Sequence, residues 1–338
     1  MEISAFAQQL DHYFKQQAQQ TEGVQAGNKH VFQACMEHLH SELDFDEKMI
    51  LMDYHMCYSN ALDGARNGNL DASQHWLEKA ESLPDFDRPV LQRVVAVNKV
   101  PAVAYHLYRE GQYDQAVELL RETIRTSGML ANDDGIDYLV WGQMEDYINI
   151  FRVYCTAKDH NKALQYAQSI LKAVVHGQLT EGYVEGVSPT LLRAGTIDFI
   201  SYASSDALVR LSKIGVLSGK ALVKAVLEPI WSVEDWSNCP LSGYQQALTA
   251  LRYWTEDNTP DFLEACTTLL PFMQQQSPII QFFILEALVP ILEAAQDTTT
   301  FKQMRMSIQQ YMQQIGVDYY MLQHHSQLPF QFQAVSYS

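Results

Sequence analysis

Asn98–Gly128 reads NKVPAVAYHLYREGQYDQAVELLRETIRTSG, and the reading of this stretch decides the fold. Val100, Val103, Ala104 and Leu107 recur at i, i+3, i+4 and i+7, the spacing of one apolar helix face. Gly111 stops that helix, because glycine enters the left-handed region without a Cβ clash. Asp114 then serves as the N-cap or first-turn acid of a second helix. Ala116, Leu119, Leu120, Thr123 and Ile124 give that helix its own apolar face. The stretch therefore predicts two antiparallel helices joined by a tight turn at Glu110–Tyr113. Ala104 and Ala116 leave room for them to cross closely.

The same layout occurs on either side. Upstream, Asp46–Arg66 and Asp71–Ser82 flank the turn signal Asn67-Gly68-Asn69, and Pro84 ends the pair. Gly68, Leu70, Ser73, Leu77 and Ala80 match Gly111, Tyr113, Ala116, Leu120 and Thr123. Downstream, a third copy runs over Gly142–Ala173, turning at Lys158–Asn161 and continuing through Ala163, Ala167 and Ile170. The crossing residues Ser73, Ala116 and Ala163 are thus 43 and 47 positions apart. A fixed internal layout is what a solenoid needs, since each hairpin buries its faces only against its neighbours.

The set Leu107, Gly111, Tyr113, Ala116, Leu120 resembles a tetratricopeptide repeat, with a period longer than the usual length of about 34. The resemblance implies an all-α fold, a right-handed superhelix of antiparallel helical hairpins, with about six hairpins in this chain. It also implies that the first helix of each hairpin lines the concave face. Carried over by position, that face comprises His55, Tyr58, Ser59 and Arg66, then Asn98, Tyr105, Tyr108 and Arg109, then Glu145, Asn149 and Arg152. Amide, guanidinium and aromatic side chains suit a peptide backbone, a carboxylate and an apolar anchor respectively. Arg66, Arg109 and Arg152 are each 43 positions apart in a chain poor in cations. An arginine in the last turn of a helix also interacts with the free carbonyls there, with no ligand required.

Outside these copies, residues 1–45 read as leading helices, the first with Ile3, Phe6, Leu10, Tyr13 and Phe14 on one face. Residues 176–195 form a Gly-rich loop, 196–316 degenerate repeats, and 317–338 a tail, all within a single repeat domain. In the degenerate part, Thr196–Ile214 pairs with Gly219–Leu227, crossing near Ala221. Ser242–Trp254 pairs with Pro260–Met273, crossing near Ala265, and Ile279–Ala295 pairs with Thr300–Ile315.

Composition narrows the functional classes. With 47% hydrophobic and 19% charged residues, the chain has the makeup of a globular protein, not a disordered one. A formal net charge of −17 argues against nucleic acid or an anionic membrane as a main partner. Cys35, Cys57, Cys155, Cys239 and Cys266 are odd in number and lack CxxC spacing, which suits core thiols in a reducing compartment. No basic segment followed by an apolar run opens the sequence, so a cytoplasmic protein is expected. Pro278–Ala295 is interrupted by Gln281, Glu286, Pro290 and Glu293, which marks a core helix and not a membrane span.

The motifs that carry chemistry are weak. His38 and His40, with Asp44, Asp46 and His55 nearby, form the densest set of potential metal ligands. On a helix their side chains would point about 200° apart, so no metal site is expected. Gly215–Ala221, GVLSGKA, is one residue short of a phosphate loop, and Ala221 replaces the hydroxyl that would hold magnesium. Neither G-x-S-x-G nor H-E-x-x-H occurs. The expectation is a non-enzymatic interaction or scaffold module without a cofactor, binding a protein or peptide partner in the groove. One alternative is a small-molecule binder or enzyme with its site at the Gly-rich insertion, using Tyr183, Ser188, Arg193 and Asp198. Another is a homo-oligomerising scaffold built on the Gln- and Met-rich C-terminal helix around Gln303–Gln313.

Overall fold

The computed structural model describes residues 43–134, 139–176, 196–215, 217–231, 242–276 and 278–295. Among the described residues the chain is helical, with no strand. Two compact units divide it, with the boundary between Phe199 and Ile200.

Among the described residues, the first unit holds six helices: α1 (Phe45–Arg66), α2 (Leu70–Glu81), α3 (Pro89–Arg109), α4 (Tyr113–Asp133), α5 (Leu139–Thr156) and α6 (His160–His176). Each consecutive pair, α1–α2, α3–α4 and α5–α6, packs as an antiparallel hairpin. α1 opens with a capping box. The Asp44 carboxylate accepts from the Glu47 amide at 2.9 Å, and the Asp44 amide donates to the Glu47 carboxylate at 3.3 Å. α3 begins at Pro89, a residue type well suited to a first turn because its missing N–H has no partner to lose there. It then runs straight through Pro101, where one ladder donor is missing. Burial of Leu91, Val94 and Ala102 on both sides of Pro101 holds the segment helical. Packing thus overrides the local rule that made Asn98 look like the start.

The turns share one hydrogen-bond plan. Gly68 and Gly111 sit at φ of +78° and +82°, where a Cβ is unfavourable. The residue after each closes the six-residue loop that ends a helix: Asn69 N to Gly64 O at 2.9 Å, and Gln112 N to Leu107 O at 2.9 Å. The same residue then caps the next helix, its carbonyl accepting from the amides of Ser73 and Ala116 at 3.1 Å each. Gln112 is therefore the N-cap of α4, and Asp114 is its first-turn acid. The third turn repeats the plan with Lys158 at φ +60°, Asp159 N to Tyr154 O at 3.0 Å, and Asp159 O accepting from Ala163 N at 2.9 Å.

Ser73, Ala116 and Ala163 are all fully buried, so the in-register small residues do mark the helix crossings. At Gly64 the backbones themselves come close: an added Cβ would stand 2.9 Å from the Ser73 amide nitrogen. Ser73 also reaches the next hairpin, its Oγ lying 3.0 Å from Nδ1 of the buried His106.

Successive hairpins stack in register. Arg88, at the start of α3, pairs with Glu47, at the start of α1, at 2.9 Å and a separation of 41 residues. At the far end, Arg109 Nη2 would be 3.3 Å from a Cβ placed on Gly68. The two contacts make α1 and α3 parallel neighbours along their whole length. Arg121 of α4 donates to the Tyr166 hydroxyl of α6 at 3.1 Å, 45 residues away. The stacking mode is not uniform: α3 lies along α1 and touches α2 lightly, whereas α5 lies along α4. Arg93 closes the open end of the α3–α4 hairpin with a two-pronged grip on Asp134, at 2.8 and 2.7 Å from one nitrogen.

The second unit takes in α7 (Thr196–Lys213) from Ile200 onward, α8 (Gly219–Trp231), α9 (Ser242–Thr255), α10 (Thr259–Leu269), a 3-10 turn (Leu270–Gln275) and α11 (Pro278–Ala295). α9 packs against α8, α10 and α11. Its turn into α10 follows the plan above, with Asp257 at φ +60° and Asn258 N bonded to Tyr253 O at 2.9 Å. The buried residues are Leu222 and Val223 on α8, with Ala221 exposed, and Phe262 and Cys266 on α10, with Ala265 half-buried. The crossings thus fall beside the alanines expected to mark them. α11 is buried on every side from Ile279 to Val289, and no described helix is long and apolar enough to cross a membrane. Residues 1–42, 177–195 and 296–338 lie outside the described residues, as do the side chains of Arg193 and Asp198. The leading helices, the Gly-rich insertion, the final helix and the His38/His40 set fall there.

Candidate functional site

The residues expected on the groove divide into three groups. On α1, His55, Ser59 and Arg66 are exposed, while Tyr58 is buried. Tyr58 stacks on Tyr54 with ring centroids 5.9 Å apart, inside the cluster formed with Leu51, Phe86 and Leu91. Burial, with Tyr54 next, pushes its hydroxyl well above the usual phenol range, so it stays neutral. Its ring fills the core. Arg66 makes one loose contact with Asp63, 3.5 Å, on its own helix, with both side chains well exposed.

On α3, the set converges near the helix C-terminus. Tyr105 and Tyr108 are half-buried, with rings 5.3 Å apart, and Tyr113 of α4 adds a third ring 6.0 Å from Tyr108. The Tyr108 hydroxyl lies 2.8 Å from Thr156 Oγ1, at the end of α5. Arg109 is exposed beside the Gly68 turn and has no carboxylate within ion-pair distance among the described residues. Asn98 is half-buried, nearly three turns earlier on the helix.

On α5, the three expected residues meet. Arg152 Nη1 donates to Glu145 Oε1 at 3.1 Å and to Asn149 Oδ1 at 2.9 Å. Spacings of three and four bring such side chains onto one helix face. The Arg152 carbonyl in turn accepts from the Thr156 hydroxyl at 3.2 Å, which joins this cluster to Tyr108.

A continuous row therefore runs from the Gly68 turn through Arg109, Tyr108 and Thr156 to Arg152 and Asn149. It links three hairpins along the edge where α1 and α3 both end. Thr156 was not expected from the sequence: a threonine in a last turn reads as a helix end, and only the 48-residue separation from Tyr108 shows it as a bridge. Arrangements of this kind present hydrogen-bond donors and aromatic faces; they contain no nucleophile–base pair. Among the described residues there is no cluster of three metal-ligating side chains. The phosphate-loop look-alike lies between α7 and α8: Gly215 takes φ +74°, and the Lys220 ammonium pairs with the Asp257 carboxylate.

No protein-family model, no curated protein and no solved structure matches the chain. What the geometry defines is a class: a chain helical throughout its described residues, whose first unit packs three antiparallel hairpins against one another, with polar and aromatic side chains gathered along one edge.

Proposed function

We propose that the chain is a non-enzymatic interaction module, a tetratricopeptide-like solenoid that holds a protein segment along the first helices of its hairpins. The observation that carries this reading is the hydrogen-bonded row Tyr108–Thr156–Arg152, with the exposed Arg109 next to it at the Gly68 turn. Exposed guanidinium groups suit acidic or C-terminal carboxylates. Half-buried tyrosines give rigid contact area with a polar tip. A right-handed superhelix places such a row on the concave side. Cys57 and Cys266 are buried free thiols, which supports a reducing, cytoplasmic setting.

The experiment is selection of binding peptides from a displayed random library, followed by titration of the best binder against Arg66→Glu and Arg109→Glu. Both side chains are exposed, so the fold should be kept, with stability lowered only by the lost last-turn charge, about 0.3–1 kcal/mol each. Loss of a charge-assisted contact of about 1.5–3 kcal/mol predicts weakening on the order of tenfold to a hundredfold. Equal affinity for all variants would sink the proposal.

A further inference from the structure

Among the described residues, five large apolar side chains are exposed, and Phe45, Met49, Met52 and Met56 of α1 account for four of them. Their exposures of 74, 45, 52 and 43% are well beyond incidental. Scattered surface methionines need no explanation, but a contiguous set does. Steps of four, three and four residues are the a/d seam of a coiled coil, with Met49 and Met56 at a and Phe45 and Met52 at d. The opposite face of α1, with Leu51, Tyr54, Ala61 and Ala65, is already spent on the core. α1 thus carries two apolar stripes on opposite sides, and only one has a partner.

Charge selects the occupant. In the same register Lys48 falls at g and Asp53 at the following e. In a parallel pair of identical helices, g of one chain faces the next e of the other. Lys48 would then meet Asp53 of a second copy, twice, by two-fold symmetry. In an antiparallel pair like positions face each other, bringing lysine towards lysine and aspartate towards aspartate. Neither Lys48 nor Asp53 has an ion-pair partner among the described residues. An isolated helix with so short a seam would be unstable, but α1 is already held by α2 and α3, so docking need not fold it.

We infer that a second copy of this chain docks on Phe45, Met49, Met52 and Met56, with α1 parallel to α1. The seam spans about 17 Å at 1.5 Å per residue, which places the contact among small, reversible interfaces.

The test is sedimentation equilibrium of the full chain from about 1 to 100 µM, the range in which small interfaces are half-occupied. A monomer–dimer equilibrium is expected. Met52→Glu should weaken it at least tenfold with no change in the circular dichroism or the melting midpoint, because the side chain is outside the core. Lys48→Glu and Asp53→Lys should each weaken self-association. An equimolar mixture of the two should restore it, because both g–e contacts of the mixed pair are again between opposite charges. A chain that stays monomeric throughout, whether its own N-terminal residues or a foreign helix covers the stripe, overturns the inference. So does a dimer that Met52→Glu leaves intact, or a mixture that fails to recover.

Discussion

Asp146 sits on α5 between Glu145, which helps hold Arg152, and Tyr147, and its side chain is almost entirely out of water. No cation lies within ion-pair distance of it among the described residues. Burial, with the neighbouring Glu145 charge second, pushes its carboxyl well above the usual range. The folded state therefore holds a proton that the unfolded chain releases, so stability falls as pH rises through the interval between the unfolded and folded values. Asp146→Asn keeps the shape and removes the ionisable group. It should raise the urea midpoint at neutral pH, corresponding to about 1–3 kcal/mol of unfolding free energy if the whole desolvation cost is relieved, and flatten the pH dependence from mildly acidic to neutral conditions. Urea titrations across that interval would check it; a variant with an unchanged slope would show that Asp146 is not the group that titrates.

The hairpin turn is the element on which the fold was most and least legible. Gly68 and Gly111 announced their turns because only glycine is common at positive φ, and Ser73 and Ala116 followed at the matching positions. Lys158 and Asp257 adopt the same backbone conformation with a Cβ in place, so no glycine marks them: the turn at Lys158 is read from Ala163, Ala167 and Ile170 that follow it, and the hairpin around Asp257 falls among the degenerate repeats. The cost of a Cβ there gives a paired prediction. A Cβ on Gly111 would meet nothing within 4 Å, so Gly111→Ala tests the backbone alone and should destabilise by about 1 kcal/mol. Lys158→Gly relieves the same conformation and should stabilise, but by less, about 0.5 kcal/mol, because glycine also loosens the unfolded chain. Opposite shifts in thermal midpoint would bear this out, and shifts of the same sign would refute it. Two other features were hidden for definite reasons. Pro101 concealed the first half of α3, since the packing of Leu91 and Val94 is not visible in sequence. Tyr58 was expected on the groove because its position on α1 matches that of lining residues, but the side chain turns inward onto Tyr54, within the core cluster that also holds Phe86. That Glu145, Asn149 and Arg152 meet on α5 was legible because residues three and four apart on one helix share a face. The bridge to Tyr108 was not, because it depends on how two hairpins stack.

The first three hairpins are tied to one another at several points with related separations: 41 residues between Arg88 and Glu47, 45 between Arg121 and Tyr166, 48 between Tyr108 and Thr156. Drift in that separation accompanies the change in stacking mode, from α3 along α1 to α5 along α4, and explains why a strict repeat length fails for this chain. Their contacts nevertheless close on themselves, since Gly27–Phe199 forms a compact unit apart from the residues beyond Ile200. Stability of a stacked array is the sum of each hairpin's own stability and its junctions. The junctions within this unit include the buried Ser73–His106 contact and the Arg88–Glu47 pair, and the two-pronged Arg93–Asp134 pair closes the middle hairpin itself. A fragment spanning Gly27–Phe199 should therefore fold alone, giving helical circular dichroism and a single cooperative urea transition. The full chain should show that transition together with a second one. Arg93→Ala should lower the first midpoint and leave the second in place, because Arg93 is internal to the first unit. A fragment that melts without cooperativity, or an Arg93→Ala variant in which both transitions shift equally, would mean that the two units fold as one.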